Sequence, residues 1–184
     1  MKSQRSRLDR FIVSREGIKR SHVHQLLAQG RILLDGLAAE SISQVVGPFT
    51  HVVLDQRVLQ AEQPRYIMLN KPPGMVSATC DEQHSTVLDL VSAPYAKSLH
   101  IVGRLDFNST GLLLLTNDGR WSRGVSSPQK GVVKTYRVQL EQPFRSDYRE
   151  AFAAGLYFAF ENITTRPAEI RRLSDFEVEV DLVE

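Results

Sequence analysis

Residues 103–119 read GRLDFNSTGLLLLTNDG. The four consecutive leucines at 112–115 have the length of one buried strand. TNDG after them is a turn signal, because Asn, Asp and Gly tolerate left-handed backbone angles. The stretch is therefore expected to run loop, buried strand, turn. Arg104 and Asp106 stand where the loop meets the strand, a common place for catalytic groups. Charges are costly next to an apolar core unless they are paired or chemically engaged. Arg104, folded back, would keep Asp106 ionised, and an ionised carboxylate in a semi-dry pocket is a competent nucleophile. A plain surface ion pair is the alternative.

The 184-residue chain suffices for one ordinary domain or for a small and a medium one. Its 42% hydrophobic and 24% charged content is that of a soluble globular protein. The apolar runs are too short for a membrane span. The basic N-terminus, MKSQRSRLDRF, has no apolar core behind it, so no secretory signal is expected. A single cysteine, Cys80, makes neither an intrachain disulfide nor a cysteine zinc site. A cytoplasmic location is the simplest expectation. His22 and His24 alternate on a helix and make a poor metal pair, while His51, His84 and His100 stand alone. No phosphate-binding glycine loop or Gly-x-Ser-x-Gly elbow occurs. No metal and no cofactor are expected.

Charge is unevenly spread. Residues 1–31 carry eight Lys and Arg, Lys2 among them, against Asp9 and Glu16, within a total net charge of only +2. A basic head on a slightly acidic body suggests a polyanion partner, or else a solvated basic surface.

The head forms a compact unit. Leu8, Phe11 and Ile12 share a helical face. Ser21 is placed to cap a second helix with Val23, Leu26 and Leu27 inward, ended by Gly30. RILLDG and HVVLDQ are strands, the first running into an Asp-Gly turn. Residues 60–65, QAEQPR, form a linker, which places the boundary near 62 and gives domains 1–61 and 62–184. The body opens with a strand at 66–69. A turn follows at 70–74, NKPPG, because neither proline can donate to a ladder, and then a second strand at 75–79. STVLDLVS is a short helix capped by Ser85 or Thr86, and DGRWSRGVSSP is another, carrying Trp121. KTYRVQL is a strand with Tyr136, Val138 and Leu140 on its buried side. SDYREAFAAGL is a helix capped by Ser146 and ended by Gly155. FEVEVDLV alternates strictly, as a half-buried strand does. Many strands and few helices favour an α+β fold with a mostly antiparallel sheet.

These residues resemble a family. Gly103, Arg104, Leu105, Asp106, Ser109 and Gly111, with the aliphatic run and then Thr116 and Asn117, match the signature of the bacterial pseudouridine synthases of the ribosomal small-subunit type. YIMLNKPPG resembles that family's first motif and KTY its tyrosine motif. RLDRF, the helix at 21–30, Arg31 and the Asp35-Gly36 turn resemble an S4 RNA-binding module. DGRWSRGVSSP followed by KTY is similar to members acting on small-subunit (16S) rRNA. The head departs from the usual S4 pattern at Lys19-Arg20-Ser21-His22 and at Gly47-Pro48. Family members also continue into a Gly-x-x-His-Gln-type motif. This sequence reaches Glu184 about where that motif would begin, so the resemblance implies a catalytic domain incomplete at its C-terminus and leaves the activity of these 184 residues alone open.

The resemblance implies isomerisation of one uridine to pseudouridine without a cofactor, on a flipped-out nucleotide. Asp106 is then the catalytic carboxylate, as nucleophile or as the group activating the ribose. Arg104 orients it, and Tyr136 stacks on the uracil. Lys71 supports the site from the first motif and counts, with Arg7, Arg10, Lys19, Arg20 and Arg31, among the RNA-binding candidates. The partner is ribosomal RNA, with no membrane, and the chain is expected to be a monomer. A non-catalytic RNA-binding or ribosome assembly factor, or a nucleosidase acting through a carboxylate pair, are the rival readings.

Overall fold

The computed structural model describes residues 5–160 and 162–183, leaving Lys2 and Glu184 outside. The fold is α+β, and its strands pair antiparallel throughout the named sheets.

The head starts with strand β1 (Ser6–Arg7) and helices α1 (Leu8–Glu16) and α2 (Arg20–Ala28). Helix α2 begins at Arg20 with Lys19 in the cap position and no side-chain cap, so Ser21 lies inside the helix rather than capping it. Gly30, at φ +66, ends the helix: its N–H donates to Leu27 O and the next amide, Arg31, to Leu26 O. Next come β2 (Ile32–Leu34), β3 (Leu37–Ala38), β4 (Val45–Val46), β5 (Val52–Leu54) and β6 (Arg57–Gln60). They form a β3-β2-β5-β6 sheet beside a β1-β4 pair. Asp35 and Gly36 make the expected turn, both with positive φ. A second such turn at Asp55 and Gln56 produces β6, a strand the sequence did not announce, because Gln56 carries a left-handed φ of +65 without being glycine. Leu8, Ile12, Val23, Leu26, Ile32, Val52 and Leu59 bury together as one core.

The body contains β7 (Tyr66–Lys71), β8 (His100–Val102) and β9 (Gly111–Thr116) in the order β7-β9-β8. Helix α3 (Gly119–Ser126) follows, then β10 (Val133–Gln139), helix α4 (Asp147–Ala154), and the strand pair β11 (Tyr157–Phe158) with β12 (Ile163–Thr164). Strands β13 (Glu169–Arg172) and β14 (Glu177–Val183) complete a β10-β14-β13 sheet. Ser146 precedes α4 without a side-chain cap bond. The expected strand at 75–79 does not form: only a bridge between Val76 and Thr86 is present, since Ser77 is engaged with a loop described below. The short helix after it is a 3-10 turn, Val87–Leu90, with Thr86 and Asp89 in a reciprocal capping box.

Strand β9 corrects the leucine reading. Side chains alternate across a strand, and Leu113 and Leu115 are buried with Val87 and Leu99, whereas Leu112 is 64% exposed and Leu114 half-buried. The sheet buries one face on that core. Val138 likewise stays 38% exposed on β10, so that strand is only partly covered.

TNDG does more than turn. Thr116 Oγ1 donates to Arg65 O (2.6 Å), and Asn117 accepts from Arg65 N (2.8 Å) while donating to Gln63 O (2.8 Å), so the 61–65 connection is lashed to the end of β9. Asp118 caps α3, accepting from the amides of Arg120 and Trp121, and takes the Tyr66 hydroxyl at 2.9 Å. Burial pushes the Asp118 carboxyl up, but the Trp121 amide, the Tyr66 hydroxyl and Arg120 outweigh it and hold the group below the usual carboxylate range.

Two outcomes are expected. Leu115→Ala should destabilise the fold by about 2–5 kcal/mol in urea titrations, because a fully buried side chain is lost. A lowered carboxyl pKa contributes stability above the unfolded value of about 3.9 and loses it as pH falls through the folded value. Below about pH 4 the melting temperature of the wild type should therefore fall more steeply than that of Asp118→Asn.

Candidate active site

The 104–109 loop has no regular structure of its own, so its shape depends on its fastenings. Lys71, the last residue of β7, is fully buried. Its Nζ donates toward Asp106 O (2.9 Å), Ser109 O (2.9 Å), Phe107 O (3.0 Å) and Pro72 O (3.1 Å). An ammonium removed from water must have its protons taken up, and here backbone carbonyls take them. Gly74, at φ +79 in the NKPPG turn, donates its N–H to Phe107 O (2.9 Å). Ser77 Oγ donates to Leu105 O (2.7 Å) and accepts from Leu105 N (3.1 Å). Ser109 N closes the loop on Asp106 O (3.1 Å).

The consequence is geometric. Backbone carbonyls at 105, 106, 107 and 109 point at the body. The side chains of Arg104, Asp106 and Phe107 are exposed. Among the described residues no ion pair within 4.0 Å joins Arg104 to Asp106, so the expected salt bridge is not what shapes the loop; Lys71 and Ser77 are. The His84 ring lies 5.0 Å from that of Phe107, next to Asp106. Sequence reasoning left His84 isolated, and only the fold brings it here.

Lys71 was expected among the RNA-binding cations, and its burial corrects that: its protons are taken up by carbonyls and none faces solvent. Tyr136 lies on β10 opposite Val180 of β14, half-buried, in a different sheet from the one that ends in the Asp106 loop. In the head, Arg7 and Arg20 converge on the buried Asp9 (3.2 and 2.9 Å). Burial raises the Asp9 carboxyl, but the Arg10 amide and the two guanidiniums outweigh that and hold it low. Arg31 grips Asp55 bidentately, both bonds at 2.6 Å. Arg10 and Lys19 are exposed and form no ion pair among the described residues.

No group of three His, Cys, Asp or Glu is placed to hold a metal among the described residues, and Cys80 is exposed. No described helix is long and apolar enough to cross a membrane. The arrangement offers an exposed carboxylate on a rigidly held backbone, a form suited to acting on a group delivered from outside.

Lys71→Met should strip several carbonyls of their donor at once, at a cost of about 3 kcal/mol or more in chemical denaturation. Amide hydrogen exchange at Gly74 and Ser109 should rise with it, while exchange within α1 stays unchanged.

Comparison with known proteins follows the same residues. A family model described as RNA pseudouridylate synthase matches residues 65–173. Ribosomal small subunit pseudouridine synthase A of Pseudomonas aeruginosa is 48% identical over 165 residues, 89% of this chain and 72% of that protein. The Escherichia coli protein of the same name is 38% identical over 179 residues, 97% of this chain and 78% of its own length. A crystal structure of a pseudouridylate synthase superposes with a TM-score of 0.63 at 34% identity, covering 97% of this chain and 77% of that one. With matches of this extent on the span that holds the Lys71-fastened loop, the chain belongs to the RNA pseudouridylate synthase family.

Proposed function

We propose that the chain isomerises a uridine of small-subunit ribosomal RNA to pseudouridine, working in the cytoplasm as a monomer. In that reaction the C1′–N1 bond breaks and the C1′–C5 bond forms. The proton on C5 is lost and N1 ends protonated, so atoms balance and no co-reactant is needed. The target uridine has to leave its stack to be reached, at a cost of about a few kcal/mol. The Asp106 carboxylate is the group that acts on the extruded nucleotide. Arg104, exposed beside it, swings to orient it or to occupy the space left by the flipped base. Tyr136 stacks on the uracil once the RNA is bound.

The observation that carries this reading is the fastening of the loop by Lys71 and Ser77, which leaves the Asp106 side chain exposed on a fixed backbone. Preorganisation of that kind stabilises a transition state without reorganisation during the reaction.

Residues 1–61 are proposed to be an S4-like RNA-binding module and residues 62–184 the catalytic domain. The separate core of the head, drawn from Leu8 to Leu59, supports that division. Arg10 and Lys19, exposed and without an ion pair among the described residues, are head cations free to meet phosphate. Arg7, Arg20 and Arg31 reach it with their remaining donors while held by Asp9 and Asp55.

Incubated with 5-tritiated-uridine ribosomal RNA, the chain should release tritium to water and leave pseudouridine in the RNA. Asp106→Asn should bind the same RNA within about twofold and reduce release by more than about 100-fold, the scale of losing an essential catalytic group. Undiminished turnover would remove Asp106 from the mechanism. Release of free uracil would replace isomerisation by hydrolysis.

A further inference from the structure

The connection from α4 to β13 is not a slack loop. It is the β11–β12 hairpin, with Tyr157 opposite Thr164 and Phe158 opposite Ile163. Local bonds build it. Leu156 N donates to Thr165 Oγ1 (2.9 Å), Thr165 N to Leu156 O (2.9 Å), and the Tyr157 hydroxyl to Asn162 Oδ1 (3.0 Å). Asn162 turns the chain at φ +54, a conformation asparagine tolerates. At its base, Gly155 sits at φ +85, and a Cβ there would stand 2.4 Å from Thr165 O, so only glycine fits.

This held hairpin leaves much of its apolar surface open. Phe160 is 98% exposed, Tyr157 63%, Ile163 54% and Phe158 48%. Phe158 and its cross-strand partner Ile163 share one face of the pair, with Tyr157 on the other, and exposed apolar side chains grouped in this way mark a candidate binding surface.

Beside it runs a groove of about 440 Å³ between α4 and β13, lined by Arg149, Arg171 and Arg172, with Glu169 as its acid. The hairpin rises from the end of the groove where Ala168 N donates to Phe152 O (2.9 Å). Arg171 is paired with Glu169, Glu179 and Asp181, and Arg172 with Asp175. Arg149 has the Phe144 ring at 5.8 Å instead of an acid. Arg166, exposed as the chain leaves the hairpin, forms no ion pair among the described residues. Exposed rings on the same connection as an unpaired guanidinium, Arg166 two residues beyond β12, suit a polyanion whose bases can stack. A two-fold pairing of this patch with a second copy would bring the same cations toward each other, which disfavours self-association.

We propose that the hairpin and the α4–β13 groove form a second RNA contact, in which Phe158 and Phe160 stack on unpaired bases and Arg149 and Arg166 hold the neighbouring phosphates. It rests on the reading of this chain as one that acts on RNA, and its ligand class is single-stranded RNA flanking the modified nucleotide.

The test is fluorescence anisotropy of the 184-residue chain with a fluorescein-labelled, unstructured RNA dodecamer. F158A/F160A removes two exposed rings and leaves the Tyr157–Asn162 bond, so its melting temperature should match the wild type. Its Kd should rise by about 10-fold or more, as loss of base stacking requires. R149Q/R166Q should flatten the slope of log Kd against log salt by about 1.4, the value for two phosphate contacts on a single strand. Unchanged affinity in the first variant together with an unchanged slope in the second would overturn the proposal. So would a fall in sedimentation-detected self-association of F158A/F160A at unaltered RNA affinity, which would give the patch to a second copy. Tritium release separates this inference from the proposed function. A chain that makes no pseudouridine but loses RNA affinity on F158A/F160A keeps the contact and loses the activity. One that makes pseudouridine and binds RNA equally well in both variants does the reverse.

Discussion

A single buried ammonium organises the candidate site. Lys71 Nζ has three protons to place and four carbonyls around it, one from Pro72 and three from the 106–109 loop. Charge in an apolar interior is tolerated only when it is fully hydrogen-bonded, so neither the lysine nor the loop can adopt its position without the other. The end of β7, the NKPPG turn and the Asp106 loop thus behave as one unit. Strand β9 supports it from beneath through Leu113 and Leu115, which lock the sheet to the Val87 and Leu99 core. With the backbone carbonyls bonded to the body, the side chains at 104, 106 and 107 stay exposed.

Local signals in the sequence were dependable where a residue's own conformational preference decides the outcome. The Asp35-Gly36 turn, Gly30 at the end of α2, the double-proline turn and the alternation of Val178 and Val180 on β14 all formed where their chemistry points. Expectation failed where a distant partner decides. Lys71 counts among the RNA-binding candidates until the fold brings residues 35 to 38 positions away onto its amine, which leaves it the supporting part. Residues 75–79 have the composition of a strand, but Ser77 is engaged by Leu105 instead. Ser21 has the chemistry of a cap but lies inside α2, and Ser146 takes the N-cap position of α4 without making a side-chain cap bond. The leucine run suggested burial on both faces, and periodicity alone could not say that one face would stay open at Leu112. Asn117 was legible as a turn residue but not as the tether of the 61–65 connection.

Electrostatics divide the basic head into two classes of cation. Arg7, Arg20 and Arg31 are oriented by Asp9 and Asp55, and a carboxylate partner fixes a guanidinium's direction while leaving donors free. Arg10 and Lys19 are exposed and form no ion pair among the described residues. Such a mixture suits a surface that sets the register of a phosphate backbone without reading its sequence. On the proposed function, discrimination falls to the body, where a base is extruded to meet Asp106, and base extrusion is easiest where the RNA is already unpaired.

The most direct measurement is a crystal structure of the Asp106→Asn chain bound to a small-subunit ribosomal RNA fragment. The account predicts one uridine swung out of its stack, its glycosidic carbon within contact distance of the side chain at position 106, and the Lys71 carbonyl bonds intact beneath it. A bound RNA whose bases all stay stacked, with position 106 facing open solvent far from any ribose, would contradict it.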